Sequence, residues 1–148
     1  MNRSLPDDLG ALLRDASHGV LATSGPEGPH ASLMGLAPAE PVPGLYLVTS
    51  RGTRKFRNLL ADPRAALLLD DRAADPRPEP GAVRALTVLG RVRVLEEGEA
   101  GIAAGALCAR HAHLRGLAGA RDAAFLLFTP ETLQLLDGPE SASVFDLR

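Results

Sequence analysis

Residues 45–71 read Leu45-Tyr-Leu-Val-Thr-Ser-Arg-Gly-Thr-Arg-Lys-Phe-Arg-Asn-Leu-Leu-Ala-Asp-Pro-Arg-Ala-Ala-Leu-Leu-Leu-Asp-Asp71. Leu45 to Ser50 is apolar and β-prone and predicts a strand. Arg51 to Ala61 carries Phe56, Leu59 and Leu60 at helical spacing. Asp62-Pro63 ends that pattern, because a residue before proline is pushed out of the α region. Arg64 to Asp70 then predicts a second strand. The handover from strand to helix holds Thr49, Ser50, Arg51, Gly52, Thr53, Arg54 and Lys55. A helix N-terminus offers unpaired N–H groups and positive partial charge; hydroxyls can donate, and Arg54 with Lys55 adds full charge. These are the ingredients of a site for a phosphate dianion. On spacing alone the cluster reads equally well as a solvated basic helix face.

Working outward, Leu5, Leu9, Leu12, Leu13 and Ala16 follow helical spacing, with Ser4 as a cap, Pro6 in the first turn and Gly19 at the exit. His18 to Ser24 and Pro29 to Ala37 flank Gly25-Pro-Glu-Gly28, which predicts a β-hairpin. Pro38 to Gly44 holds three prolines and predicts a loop. Asp71 to Gly81, rich in proline and charge, predicts an exposed loop. Val83 to Leu95 predicts a long strand, bulged or bent at Gly90. Glu96, Glu97 and Glu99 precede an alanine-rich stretch ending at Arg110, His111 and His113, the charge order a helix dipole favours. Ala123 to Thr129 and Thr132 to Leu136 predict a second hairpin turning at Pro130-Glu131. The sum is an α+β, mainly β domain over 1–148, with six to seven mostly antiparallel strands in a small barrel and peripheral helices.

Composition narrows the function. Hydrophobic residues at 45% and charged residues at 23% mark an ordinary globular chain of 148 residues, able to bury a core without staples. A net charge of -2 gives no field to hold a polyanion against salt, so nucleic acid is not an expected partner. No stretch resembles a leader or a membrane span, which predicts a cytoplasmic location without membrane association. Cys108 is the only cysteine and reads as a small buried hydrophobe.

Other polar groups read as structural. His111 and His113 are two apart, so on one helix they would diverge, and no metal site is predicted. His18 and His30 have no partner in ligand spacing. Asp7-Asp8 and Asp70-Asp71 fit capping and turn roles. Ser24 and Ser32 lack a nucleophile elbow. No catalytic acid or base stands out.

The runs ATSGPEGPHASLMGL and LYLVTSRGTRKFRNLLADPRAALLLDD, with Leu86 to Leu95 beyond them, resemble the FMN-binding split β-barrel superfamily of pyridoxamine 5'-phosphate oxidase type. The resemblance implies that Thr53, Arg54, Lys55 and Asn58, followed by Leu59, Pro63 and Arg64, form the FMN phosphate motif. It places Thr49 and Ser50 at the ribityl-phosphate end and the strand with His30, Ala31, Ser32, Leu33 and Met34 along the isoalloxazine ring. It also implies a homodimer with FMN in the subunit interface and flavin oxidoreductase activity on a small-molecule substrate. Ser32 and Ala37 align where the oxidases themselves carry Arg and Lys, and the oxidases' C-terminal Trp is missing, which argues against pyridoxal phosphate synthesis. In layout the chain is most similar to the haem-utilisation branch, and the alternative is a non-catalytic flavin- or haem/tetrapyrrole-binding protein of the same fold. Haem needs an axial ligand rather than a dianion pocket.

Overall fold

The computed structural model describes residues 5–41, 43–71, 83–138 and 140–148. The order of elements is α1 (Asp7–Asp15), β1 (His18–Gly25), β2 (Gly28–Gly35), β3 (Ala37–Pro38), β4 (Leu45–Ser50), α2 (Arg54–Ala61), β5 (Arg64–Asp70), β6 (Arg84–Val94), α3 (Glu97–Arg110), a 3-10 turn (Ala112–Leu114), α4 (Arg115–Ala118), β7 (Ala123–Asp137) and β8 (Ala142–Asp146). The strands form one eight-stranded sheet in the order β2-β1-β5-β6-β7-β4-β3, with β8 added beside β7. Every pairing is antiparallel. The sheet curls until β2 approaches β4 without hydrogen-bonding to it. This is the expected α+β, mainly β split barrel, with more strands than predicted because the Ala37–Pro38 pair and the C-terminal segment both join the sheet.

The curl sorts the side chains into two cores. Leu21, Leu36, Leu47, Leu67, Leu126 and Phe128 fill the barrel, with Phe56 and Leu59 of α2 packed among them. Tyr46, Val48, Phe125 and Leu127 point the other way, against Ala103 and Leu107 of α3. Covered on both faces, β4 and the first half of β7 therefore read as continuous apolar runs rather than alternating ones. β1 and β5 alternate instead, and their outward positions carry apolar groups left partly exposed by the other described residues. Val20 lies opposite both Leu33 and Leu68, and Ala66 lies opposite Leu89. Leu33, Leu68 and Leu89 remain 72%, 44% and 49% exposed.

Three local expectations are corrected. The segment 123–137 is one strand, not a hairpin: Gly90 pairs with Pro130 and Leu89 with Thr132, so Glu131 is an extra residue in a bulge. Proline is tolerated there because a bulge needs no ladder N–H. A side chain at Gly90 would collide with the Thr129 carbonyl and the Phe128 ring, so the predicted irregularity at Gly90 is real. Helix α1 begins at Asp7 with Pro6 as its N-cap, and Ser4 lies outside the described residues. Cys108 is only partly buried. The predicted loop 71–81 lies outside the described residues beyond Asp71, which is itself buried and ion-paired at 3.1 Å with Arg84. Arg84 also reaches Asp8 at 2.8 Å, so these carboxylates tie α1 to the sheet instead of forming an acid/base pair. No helix among the described residues is long and apolar enough to cross a membrane.

Candidate functional site

The junction between β4 and α2 is built by a cap. Thr53 is the N-cap residue of α2, its hydroxyl accepting from the Phe56 amide at 3.4 Å and donating to the Ser50 carbonyl at 2.8 Å. With that proton committed, the buried Thr49 hydroxyl donates to Thr53 Oγ1 at 3.1 Å. Lys55 Nζ donates to Thr49 Oγ1 at 3.4 Å, leaving the ammonium's other N–H groups available. Burial holds the Lys55 pKa below the ordinary lysine value. Thr49, Thr53 and Lys55 thus converge. Above Gly52 the space is open, an added Cβ meeting only Ser50 Oγ at 3.7 Å.

The other predicted residues are placed around this trio. Arg54 turns toward the β1–β2 turn, where Nη2 donates to the carbonyls of Glu27 at 3.0 Å and Gly28 at 3.5 Å. Its Nε is buried without a hydrogen bond and has only a 3.5 Å ionic contact with the exposed Glu27 carboxylate. Ser50 donates to the Asp122 carboxylate. Asn58 is buried and separate from the trio, its amide donating to Thr23 Oγ1 at 3.1 Å and wedged under Gly25, so it fastens α2 to the hairpin. On β2 the predicted run divides by strand alternation. His30, Ser32 and the buried Met34 share one face, with Ser32 Oγ 3.3 Å from His30 Nδ1, while Ala31 and Leu33 are exposed on the other. Arg64 pairs with Asp62 at 2.8 Å, and this contact lowers the Asp62 pKa to about 2.

A second polar assembly was not foreseen. Helix α3 stops at Arg110, His111 is its C-cap and His113 follows in the 3-10 turn, so the two imidazoles do not diverge as helical neighbours would. They meet His18 at the start of β1, and one ring nitrogen of each lies within 4.8 Å of the others. His111 is buried, and its Nε2 donates to the Leu36 carbonyl at 2.9 Å. Burial, then the neighbouring His111 and His113, lower the His18 pKa. Glu27, Asp122 and this trio carry no local sequence signal, because their partners are distant in the chain.

Fold and junction together define a split barrel with a cationic strand-to-helix corner suited to an anionic ligand. The chain belongs to the pyridoxamine 5'-phosphate oxidase family, whose model matches residues 5–137. No curated protein matches the sequence. Among solved structures, a heme binding protein from Mycobacterium smegmatis superposes with a TM-score of 0.82 at 20% identity, over 99% of this chain and 60% of that one. HutZ, the heme storage protein from Vibrio cholerae, gives a TM-score of 0.72 at 18% identity, over 92% and 96% of the two chains. General Stress Protein 26 from Bacillus anthracis gives 0.71 at 17% identity, over 95% and 97%. At these identities the likeness is one of fold.

Proposed function

We propose that the chain is a homodimeric, cytoplasmic single-domain protein that holds FMN at the β4–α2 junction and acts as an oxidoreductase on a small molecule. The observation that carries this reading is the half-buried, under-satisfied cation pair at the head of α2. Lys55 is desolvated against Thr49 with donors to spare, and Arg54 Nε lacks a hydrogen bond. Donors left open beside full charge in this way favour an anion at the junction. FMN, when bound, would supply two-electron redox chemistry through its ring. Lys55 and the α2 amides would hold the phosphate, with Thr49 and Thr53 fixing Lys55 and the helix cap beside it, and Arg54 would exchange its exposed Glu27 contact for it. The β2 face with His30, Ser32 and Met34 would orient the ring. With no acid or base committed to the site, the protein's share of the reaction is binding, orientation and exclusion of water.

The bare outward face of β1, β2, β5 and β6 supports the dimer. Burying Leu33, Leu68 and Leu89 on each protomer would contribute about 1.5–3 kcal/mol per side chain. That is on the scale of the roughly 4–15 kcal/mol cost of association.

The competing reading is a haem or tetrapyrrole carrier without turnover, favoured by the fold shared with two heme proteins. His30, half-buried on β2, would then be the candidate axial ligand. The visible spectrum of the purified protein separates the two, flavin bands against a Soret band. Within the flavin reading, Arg54→Ala combined with Lys55→Ala should weaken FMN by roughly 100-fold or more, through the loss of charge-assisted bonds. Riboflavin should change only a few-fold. Equal weakening of both ligands would overturn the phosphate assignment.

A further inference from the structure

We propose that His18, His111 and His113 form a binding site for a divalent transition metal of zinc type, with three imidazole ligands and an open coordination position. Three imidazoles are the ligand set of an open, reactive zinc site, whereas closed structural sites use four protein ligands. No fourth His, Cys, Asp or Glu among the described residues joins this group. The site is independent of the flavin reading and lies at the other end of the β1–β2 hairpin.

The protonation pattern suits a metal. His111 Nε2 faces a carbonyl and must carry the proton, so Nδ1 bears the lone pair. His18 Nδ1 lies 3.0 Å from Ser17 Oγ; with Nδ1–H donating there, Nε2 is free to ligate. Such an outer hydrogen bond is the usual way a metal-bound imidazole is oriented. His113 makes no hydrogen bond with another described residue, only ring contacts at 6.3 Å to His18 and 5.7 Å to His111.

The spacing needs little adjustment. Zinc at about 2.0–2.1 Å from three tetrahedral nitrogens sets them roughly 3.4 Å apart. The ligand atoms already lie within 4.8 Å of one another, and His18 and His113 are exposed and able to rotate inward. The third ligand is fixed, since His111 is buried and bonded to Leu36. Arg110 clamps the surrounding backbone through the carbonyls of Arg14 at 2.9 Å, Ala16 at 3.3 Å and Leu36 at 3.5 Å, the last shared with His111. His18 also borders a cavity of about 360 Å³ walled in part by Asp15, Asp70 and Asp71. The cavity gives a ligand on the open position somewhere to sit.

The test is zinc titration of the full chain, free of any affinity tag, by competition with a chromophoric chelator, with cobalt as the spectroscopic substitute. The expected result is one equivalent per chain, a Tm that rises with zinc, and visible cobalt bands of a four-coordinate nitrogen-rich site. His18→Gln and His113→Gln, at exposed positions, should each weaken zinc by about 100-fold or more, and Ser17→Ala by about 10-fold. Absence of stoichiometric binding, or affinity unchanged in both histidine variants, would overturn the site and leave the trio as packed rings at a helix end.

Discussion

The β1–β2 hairpin carries a different polar assembly at each end. At its turn, Arg54 grips the carbonyls of Glu27 and Gly28 beside the Thr49, Thr53 and Lys55 cluster. At its open end, next to Gly35, sit His18, His111 and His113. Seven strand steps along β2, roughly 23 Å at about 3.3 Å each, separate the two. The junction is assembled largely by neighbours in sequence, positioned by one N-cap. The imidazole site is assembled by tertiary packing between the first strand and the end of α3. A damaged contact should therefore harm one end and spare the other.

The largest effect expected from such damage is at Asn58. Asn58→Ala leaves the buried Thr23 hydroxyl without its partner and opens space under Gly25. Urea denaturation should show a loss of about 2 kcal/mol. FMN and riboflavin affinities should fall together, because Asn58 fastens α2 to the hairpin rather than facing the junction, and zinc binding should be unchanged. A selective loss of FMN would instead put Asn58 in contact with the phosphate.

The same contrast governs what can be read without coordinates. Strand and helix within Leu45–Ala61 are legible because each rule involved acts within a few residues, and the long β6 with its irregularity at Gly90 is legible for the same reason, whereas the Thr53 cap that starts the helix at Arg54 rather than Arg51 shows only in the structure. Pro130 misleads, since proline signals a turn locally, and only the register opposite Gly90 reveals a bulge in a continuous strand. The His30–Met34 run is legible as a strand, while alternation divides its residues between two faces. The imidazole trio is invisible because helical spacing applies only while the helix lasts, and α3 ends one residue too early for His111 and His113 to diverge.

A smaller effect, confined to the other end of the hairpin, is expected at Gly35. A Cβ there would stand 3.1 Å from Leu114 Cδ1 and 3.3 Å from His111 Cδ2. His111 cannot retreat freely, because its Nε2 is bonded to Leu36. Gly35→Ala should cost about 1 kcal/mol through overpacking and weaken zinc several-fold by tilting the one fixed ligand, with the FMN to riboflavin preference unaltered. If zinc affinity survives while stability falls, His111 is a packing residue and the metal assignment loses its anchor.

The finest distinction between the two ends is in their pH dependence. Burial lowers the Lys55 pKa from its ordinary 10.5. A phosphate bound beside it would favour the charged form and raise that pKa again, so the complex holds the proton more tightly than the free protein does. By linkage, FMN affinity should be constant near neutrality and decline as pH rises through the free protein's lowered Lys55 pKa, that is, below 10.5. Riboflavin, lacking the phosphate, should show no such decline, and Lys55→Met should abolish it for FMN at the cost of weaker binding throughout. Fluorescence titrations of FMN and riboflavin across this alkaline range make the comparison. Parallel pH curves for the two ligands would mean that Lys55 does not face the phosphate, leaving Arg54 and the α2 amides as its only anchors.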